Sequence, residues 1–344
     1  MHQSNDFITS IPSLLKYFTE KGIDTTKAHV SGIIEHPFPL LIPNYYADLI
    51  DWYDLHDPLR KMVLTDNLEQ IELESELDDP IGDLSHSPVP GIVHRYPDRC
   101  LLMLTNVCPV HCRFCFRKNI LHENTAHLEH ALAYIQTHKQ IWEVIFSGGD
   151  PFMLTDYMLQ KVIARLRDIP HVKMIRFHTR TPAVYPQKVT KELLASLQLA
   201  TPCGVVLHVN HPKEVAPEFV EAVVKMRKTD AMMLSQTVLM KGVNDNEQTL
   251  AELFKKLVEC GAKPYYLHHL DRTKGTNHFR VSVERGKEIM QKLRGHISGL
   301  CIPEYVIDIP GGYGKIPAFW FNHTSKNTYE AVSFEGRKIV YEDG

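Results

Sequence analysis

Six strand-like segments recur along the chain from Leu101 onward, and a segment with helical spacing separates each from the next. Their first residues lie roughly 30 residues apart, about the length of one βαβ unit. Because a strand can return parallel to its predecessor only through a long crossover, this alternation predicts an α/β fold with a parallel sheet. The segments are LLMLT (101–105), EVIFS (143–147), KMIRFHT (173–179), GVVLHVN (204–210), MMLSQTVL (232–239) and PYYLHHL (264–270).

Polar motifs follow these segments. Their positions distinguish the two architectures that six βα units allow, a doubly wound sheet and a β/α barrel. A doubly wound sheet would concentrate such motifs at one switch point, whereas a barrel collects them around one rim. Here each motif lies at or just past the end of a different segment, so we predict a partial (β/α)6 barrel. The motifs are TNVC, SGGDP, HTRTP, NHP, QTVLMKGVND and LDRTKG.

The chain divides into three predicted parts. Residues 1–95 form a helical N-terminal region with an acidic linker, 96–300 form the barrel core, and 301–344 form a C-terminal segment. Helical spacing in the first part covers IPSLLKYFTEKG (11–22) and NYYADLIDWY (44–53). A run of acidic residues that follows is expected to be a solvated face. Its members are Asp66, Glu69, Glu72, Glu74, Glu76, Asp78, Asp79 and Asp83.

One helix of the core can be specified from its ends. Asp245 and Gln248 have the spacing of a capping box, and Gly261 can supply the C-terminal cap. The apolar residues between them fall on one helical face. They are Leu250, Leu253, Phe254, Leu257 and Val258.

The net charge of the chain limits the classes of partner. A formal charge of −3 and a pI near 6.7 provide no general attraction to nucleic acid or to an anionic membrane, so a small-molecule partner is expected. No stretch approaches the ~20 apolar residues of a membrane span. The first residues also lack a basic segment followed by an apolar one, so we expect a cytoplasmic protein.

Three of the seven cysteines, Cys108, Cys112 and Cys115, lie in one short segment directly after the first strand. A structural zinc needs four ligands. His111 is the nearest candidate for the fourth, but it is adjacent to Cys112, and neighbouring residues are poorly placed to bind the same tetrahedral ion. A four-iron cluster held by three thiolates is the better match, since it leaves one iron open to an exchangeable ligand. The other cysteines, Cys100, Cys203, Cys260 and Cys301, are scattered.

A glycine-rich segment near the end of the chain, YVIDIPGGYGKIP (305–317), contains Lys315. It is not a P-loop, because positions 309 and 316 are both isoleucine where Gly and Ser or Thr are required. It could be a plain turn with an exposed lysine. Flexible glycines around a lysine also suit a Schiff base with pyridoxal phosphate, which must open and re-form during turnover.

The spacing C-x3-C-x2-C, with an aromatic residue before the last cysteine, resembles the radical S-adenosylmethionine superfamily. The whole set of motifs from residue 87 onward resembles one family in particular, the lysine 2,3-aminomutases. The matching motifs are HRYPDR (94–99), CRFCFRK (112–118), IFSGGDP (145–151), RTPAVYPQ (180–187), NHPKE (210–214), KGVNDN (241–246), PYYLHHLD (264–271), HFR (278–280) and PGGYGKIP (310–317).

The resemblance implies a function and a set of site residues. The chain would be an isomerase that converts L-lysine to β-lysine with a [4Fe-4S] cluster, S-adenosylmethionine and pyridoxal phosphate, reduced by a donor such as flavodoxin or ferredoxin. The implied cluster ligands are Cys108, Cys112 and Cys115. Residues implied at the cofactors are Ser147, Gly148, Gly149 and Asp150 for S-adenosylmethionine, Lys315 for pyridoxal phosphate, and Arg99 and Gln236. Arg117 would bind the substrate carboxylate, and Asp271 and Asp308 its ε-ammonium group.

Alternatives to this assignment remain open on the sequence. The chain could belong to the branch that makes (R)-β-lysine for elongation factor P, or act on another amino acid, or be a non-catalytic iron–sulfur protein. Neither His208 with His211 nor His268 with His269 has good spacing for a metal site. Clostridial-type members carry a zinc site with cysteines of the C-terminal tail. No cysteine follows Cys301 here, so we expect no zinc site. A dimer supported by that metal is therefore not expected, although a homo-oligomer of another kind stays open.

Overall fold

The computed structural model describes residues 6–28, 33–122 and 125–343. The first five residues lie outside these ranges. The expectation that the chain does not begin with a basic segment followed by an apolar one falls partly on them. No helix within the described ranges has the length and apolar character needed to cross a membrane.

In the N-terminal region, short helices and strands alternate with longer irregular stretches, so helices occupy a minority of its described residues. Its elements are β1 (Phe7–Ile8), α1 (Ile11–Lys21), β2 (Ile42–Pro43), α2 (Asn44–Asp48) and α3 (Pro58–Val63). Helix α1 begins at the side-chain cap of Ser10 and ends at Gly22, whose φ of 67° is the left-handed conformation that favours glycine.

Helix α2 is shorter than predicted, because the chain after Asp48 uses its hydrogen-bonding groups elsewhere. The Trp52 indole donates to Ala47 O at 3.0 Å, and the Asp51 amide donates to the Asp57 carboxylate at 3.2 Å. Continuing the helix would have joined Asp51 N to Ala47 O. The helical prediction over 49–53 is therefore wrong.

A nine-stranded sheet forms the core of the fold, and its spatial order follows the sequence order without exception. Strands β4 to β10 are parallel, and β3 and β11 pair antiparallel at the two edges. The strands are β3 (Ile92–Tyr96), β4 (Arg99–Leu102), β5 (Glu143–Phe146), β6 (Met174–Thr179), β7 (Cys203–His208), β8 (Met232–Val238), β9 (Lys263–His268), β10 (Glu304–Asp308) and β11 (Lys315–Pro317).

This sheet confirms the predicted α/β half-barrel. The six predicted strands are β4 to β9, and among the described strands no pairing joins β3 to β11, so the barrel stays open between them. The sheet extends beyond the range predicted for the core, because β3 precedes residue 96 and β10 and β11 follow residue 300. The three-part division of the chain stays a prediction.

Helices connect the parallel strands, and all but the short α6 have both buried and exposed residues. They are α4 (Leu128–Thr137), α5 (Asp156–Arg167), α6 (Thr181–Val184), α7 (Lys191–Leu199), α8 (Pro217–Arg227), α9 (Glu247–Glu259) and α10 (Val283–Leu293). A small antiparallel sheet follows, made of β12 (Asn322–Ser325), β13 (Thr328–Val332) and β14 (Lys338–Glu342).

Helix α9 has the predicted buried face, but its N-cap is displaced by one residue. Asn246, not Asp245, accepts the capping hydrogen bond, from the Thr249 amide at 2.8 Å. Asp245 instead accepts from the Gly242 amide at 2.8 Å, closing the turn before the helix. At the other end, Gly261 has a φ of 89°, as a glycine after a helix end often does.

The acidic run in the N-terminal region is not a uniform solvated face. Three of its members, Glu69, Glu76 and Asp83, are buried and contact arginines from later in the chain. Glu69 receives two bonds from Arg113, at 2.9 Å from Nε and 2.7 Å from Nη2. The prediction is wrong for these three residues, because buried guanidinium groups elsewhere require anionic partners.

Removing Glu69 should strongly destabilise the fold. The Arg113 side chain is only 1% exposed, so Glu69→Ala would leave a buried guanidinium without its carboxylate, at a cost of about 3–5 kcal/mol. Anaerobic urea denaturation would measure this. The matched control is Glu74→Ala, because Glu74 is exposed and should change the free energy of unfolding by less than about 0.5 kcal/mol. Equal midpoints for the two variants would contradict the prediction.

Candidate active site

The carboxyl ends of the parallel strands bring most of the predicted site residues to one rim of the half-barrel, whereas Arg99 is the first residue of β4 and lies at its amino end. Register pairs His208 on β7 with Gln236 on β8, and Val238 on β8 with His268 on β9. The loop after β4 carries the three cysteines, and the loop after β5 carries Ser147 to Asp150. Residues far apart in sequence therefore face one opening.

The cysteine loop places three cysteines at this rim, each partly exposed as a residue although its thiol is largely enclosed. Burial raises the pKa of the Cys108 thiol well above its usual value, and the nearby charges of Asp150, Cys115 and Cys112 raise it further. Burial likewise raises the pKa of Cys112 to about 11, although Arg180 opposes the shift. Binding of iron would therefore have to displace protons from these thiols.

This donor set fits an iron–sulfur cluster better than a single metal ion. Within the described ranges, no three His, Cys, Asp or Glu side chains are placed to share one metal ion. Each thiolate of a four-iron cluster binds a different iron, so the three sulfurs need not converge on one point. His111 has one ring nitrogen, Nδ1, at 2.8 Å from Pro39 O, and its ring stacks on Phe38 at 4.3 Å.

Contacts from the N-terminal region hold the cysteine loop. Besides its two bonds to Glu69, Arg113 donates from Nη1 to Phe38 O at 2.8 Å. Lys118 Nζ lies 3.7 Å from Glu69 Oε2. The backbone amide of Arg113 also donates to Met62 O at 2.9 Å. These contacts fix the loop to the N-terminal region.

The SGGDP segment packs directly against the cysteine loop. Gly149 lies so close that a Cβ there would meet Val107 O at 2.6 Å, which is why the position requires glycine. The Asp150 carboxylate accepts four bonds, from the Thr179 hydroxyl at 2.8 Å and from the amides of Phe152, Arg180 and Thr181 at 2.7–3.0 Å. Because its side chain is so fully engaged, any contact of Asp150 with a cofactor would involve its backbone.

The lysine loop delivers Lys315 to the same opening. Asp308 on β10 and Lys315 on β11 are cross-strand partners, and Lys315 Nζ donates to Asp308 Oδ1 at 2.9 Å. The Lys315 amide donates to the Tyr96 hydroxyl at 2.8 Å. Gly312, with a φ of 87°, packs its backbone on the His86 ring, where a side chain would collide.

The Lys315–Asp308 pair dominates the local electrostatics. Burial alone would lower the pKa of Lys315, but the carboxylate of Asp308 outweighs it and raises that pKa above 10.5. Burial opposes ionisation of Asp308 as well, yet Lys315 and His268 hold the pKa of Asp308 below its usual range. His268 Nδ1 lies 3.5 Å from Asp308 Oδ2.

The charges of Asp308 and Lys315 also act on the carboxyl group of Asp271. Burial, followed by the charge of Asp308, raises the pKa of Asp271 well above its usual value, whereas Lys315 and Arg117 lower it. Asp271 follows β9 and Asp308 ends β10, the neighbouring parallel strand, so both predicted aspartates lie at the same edge of the sheet as Lys315.

Arg117 links the cysteine loop to the SGGDP segment. It is buried, its Nη1 donates to Ser147 Oγ at 3.1 Å, and its Nε donates to Asp83 Oδ2 at 2.7 Å. Asp83 also accepts from Arg95 Nη2 at 3.1 Å. Thus one buried acid from the N-terminal region orients two arginines of the site.

Arg99 and Gln236, the two remaining predicted site residues, are both partly exposed. Arg99 stacks on the Tyr96 ring at 3.9 Å and pairs with Asp98 at 2.7 Å, with a third of its side chain exposed. Gln236 lies on β8 between His208 and Tyr266 of the neighbouring strands.

Sequence reasoning missed several residues of the opening. Tyr96, Asp83 and His268 contact the predicted site residues Lys315, Arg117 and Asp308 respectively, and Arg95 contacts Asp83. HRYPDR was the available signal for Tyr96 and Arg95, since both lie within that motif. Asp83 carried no such signal, because it was one acid among eight in the run.

Known proteins resemble this chain over most of its length. A profile of the Radical SAM superfamily matches residues 102–257, and one described as lysine-2,3-aminomutase matches 290–342. L-lysine 2,3-aminomutase of Clostridium subterminale is 36% identical over 351 residues, covering 99% of this chain and 83% of that protein. The protein of that name from Acetoanaerobium sticklandii is 38% identical over 311 residues (88% and 75% covered). The one from Escherichia coli is 36% identical over 321 residues (92% and 93%).

Replacing the Asp308 carboxylate should make Lys315 reactive at lower pH. In Asp308→Asn, burial would remain and would lower the pKa of Lys315, while the opposing charge would be gone. The pH at which an amine-reactive reagent half-labels Lys315, followed by peptide mass spectrometry, should fall by at least about one unit. Asp78→Asn is the control, since Asp78 pairs with Lys274 on the surface. An unchanged midpoint in Asp308→Asn would refute the electrostatic assignment.

Proposed function

The chain belongs to the lysine 2,3-aminomutase family of radical S-adenosylmethionine enzymes, which are isomerases, and we propose that it exchanges the α-amino group of L-lysine with a β-hydrogen. The family implies a [4Fe-4S] cluster and S-adenosylmethionine. Use of pyridoxal phosphate and of lysine as substrate are parts of the proposal. Reducing equivalents would come from a donor such as flavodoxin or ferredoxin.

One observation carries the proposal: Asp271 and Asp308 lie at the carboxyl ends of the neighbouring parallel strands β9 and β10, where Asp308 is buried and bonded to Lys315. Arg117 lies in the cysteine loop at the same rim, and its charge acts on Asp271. A free amino acid with a cationic side chain has one carboxylate and one distal ammonium group, and this arrangement offers a partner for each. An ammonium taken out of water requires such carboxylates.

The iron–sulfur cluster and S-adenosylmethionine would supply a 5'-deoxyadenosyl radical able to remove a hydrogen from an unactivated carbon. Cys108, Cys112 and Cys115 are the proposed cluster ligands. Ser147, Gly148, Gly149 and Asp150 form the proposed contact with S-adenosylmethionine, Asp150 through its backbone. Their close packing on the cysteine loop supports both assignments.

Bound pyridoxal phosphate would supply an imine system through which nitrogen can migrate between neighbouring carbons. Lys315 is the proposed attachment point, and the glycines before it let its loop approach the turn that carries His86. Arg99 is the proposed contact from the β3–β4 hairpin, and Gln236 the one from β8. Cationic groups on that hairpin suit an anionic phosphate.

The remaining proposed roles belong to substrate orientation. Arg117, held by Asp83 and Ser147, would bind the α-carboxylate of lysine, and its fixed position would orient the Cα–Cβ bond. Asp271 and Asp308 would bind the ε-ammonium group and so exclude neutral or acidic side chains. Holding both ends of the substrate would keep a reactive carbon away from protein side chains and water.

The reaction assay tests the proposal as a whole. Anaerobically reconstituted protein with S-adenosylmethionine, pyridoxal phosphate and a reductant should convert L-lysine to β-lysine, with chiral analysis to assign the product hand. Cys112→Ala should lose turnover and cleavage of S-adenosylmethionine. The control Cys203→Ala removes a buried thiol outside the loop and should keep both. Turnover of glutamate but not lysine would overturn the substrate assignment.

Attachment of pyridoxal phosphate can be tested separately. Borohydride reduction of the loaded protein should fix the cofactor on the peptide that contains Lys315, because that amine lies at the opening. Peptide mass spectrometry would locate the label, and Lys315→Ala should lack it while retaining its iron. Labelling confined to another lysine would overturn this assignment.

A further inference from the structure

Both oxygens of Asp308 are engaged within the chain. Oδ1 accepts from Lys315 Nζ at 2.9 Å, and Oδ2 lies 3.5 Å from His268 Nδ1. Asp308 is 9% exposed, so water competes little for either oxygen. The carboxylate proposed to bind the substrate's side-chain ammonium is therefore already paired with an ammonium of this chain.

The pairing of β10 with β11 favours the contact between Lys315 and Asp308 over binding of an amine from solution to Asp308. Asp308 and Lys315 are direct partners in the antiparallel β10–β11 pair, so the two groups are held opposite each other without an encounter step. An intramolecular partner of this kind acts at a high effective concentration. A lysine molecule from solution would have to displace it from a short, charge-assisted hydrogen bond.

We propose that Lys315 and the side-chain ammonium of the substrate occupy Asp308 in turn, and that attachment of pyridoxal phosphate to Lys315 opens the cation site. The inference rests on the proposed function, because it takes Asp308 as the partner of the substrate ammonium. It adds an order of assembly: the cofactor binds first and the amino acid second.

The chemistry of attachment explains why the contact is released. When the ammonium of Lys315 reacts with the aldehyde, a C=N bond forms and the C=O bond breaks. The oxygen leaves as water with two of the three ammonium hydrogens. The nitrogen then has at most one N–H, and it is held by the cofactor carbon. It can no longer present an ammonium group to Asp308.

Release of Lys315 would leave a site with a strong preference for cations. Asp271 follows β9 and Asp308 ends β10, its parallel neighbour, and the buried Asp308 is hydrogen-bonded to Lys315. Two carboxylates in a partly desolvated pocket repel each other unless a cation or a proton lies between them. The distal ammonium of lysine would supply that cation, whereas an acidic side chain would add a third negative charge.

Binding of L-lysine to protein freed of pyridoxal phosphate provides the test. Equilibrium dialysis with labelled L-lysine should show weak binding to the wild type and at least about tenfold tighter binding to Lys315→Met, in which Asp308 loses its internal partner. Lys315→Gln, a second neutral variant, should behave in the same way. The matched control is Lys315→Arg, which keeps a cation opposite Asp308 and should bind as weakly as the wild type.

Two further measurements test whether a gain in affinity for L-lysine depends on the carboxylate of Asp308. L-norleucine, which has the same chain length without the ammonium, should bind equally to the wild type and to Lys315→Met. The double variant Lys315→Met with Asp308→Asn should lose the gain for L-lysine. Iron content and circular dichroism establish that each variant has folded.

The outcomes separate this inference from the proposed function. Equal lysine affinity in the wild type, Lys315→Met and Lys315→Gln would overturn the order of assembly even if the loaded wild type turns over lysine. A gain that survives Asp308→Asn would also overturn it, because the shared site would then lie elsewhere. Failure of the fully loaded wild type to act on lysine would overturn the proposed function itself, and the inference with it.

Discussion

Pairing of buried charges is the constraint on which the rest of this structure depends. The cysteine loop carries Arg113, Arg117 and Lys118, all buried, and each needs an anionic partner to be taken out of water. Those partners, Glu69 and Asp83, come from an acidic segment that precedes the sheet in sequence. The N-terminal region is therefore the electrostatic complement of the loop, and the loop can hold its thiols at the rim only because this complement is present.

Much of the fold could be predicted from the sequence, because the hydrophobic pattern of each strand and helix is local. The six strands, the half-barrel and helix α9 follow from periodicities of two and 3.6 residues. Events that depend on distant groups could not be predicted in this way. Helix α2 stops early because Trp52 and Asp57 supply competing hydrogen bonds, and the cap of α9 falls on Asn246 because Asp245 closes the preceding turn.

The candidate site shows the same division between local and distant information. The cysteine spacing and the glycines before Lys315 are local patterns. The first indicates an iron–sulfur cluster, and the second is consistent with a Schiff base on the lysine. Composition could not show that Asp308 faces Lys315, since that contact depends on the register between β10 and β11. Nor could it distinguish Asp83, which orients Arg95 and Arg117, from exposed neighbours such as Glu74.

The open side of the half-barrel has a mechanical consequence. Its two edge strands, β3 and β11, face each other across a seam, and the hydrogen bond from the Lys315 amide to the Tyr96 hydroxyl crosses that seam. In a closed barrel, access to the interior would require breaking a ladder of backbone bonds. Here the bond across the seam ends on a side chain rather than forming part of a backbone ladder, so the seam could widen beside Lys315 while the seven parallel strands stay paired.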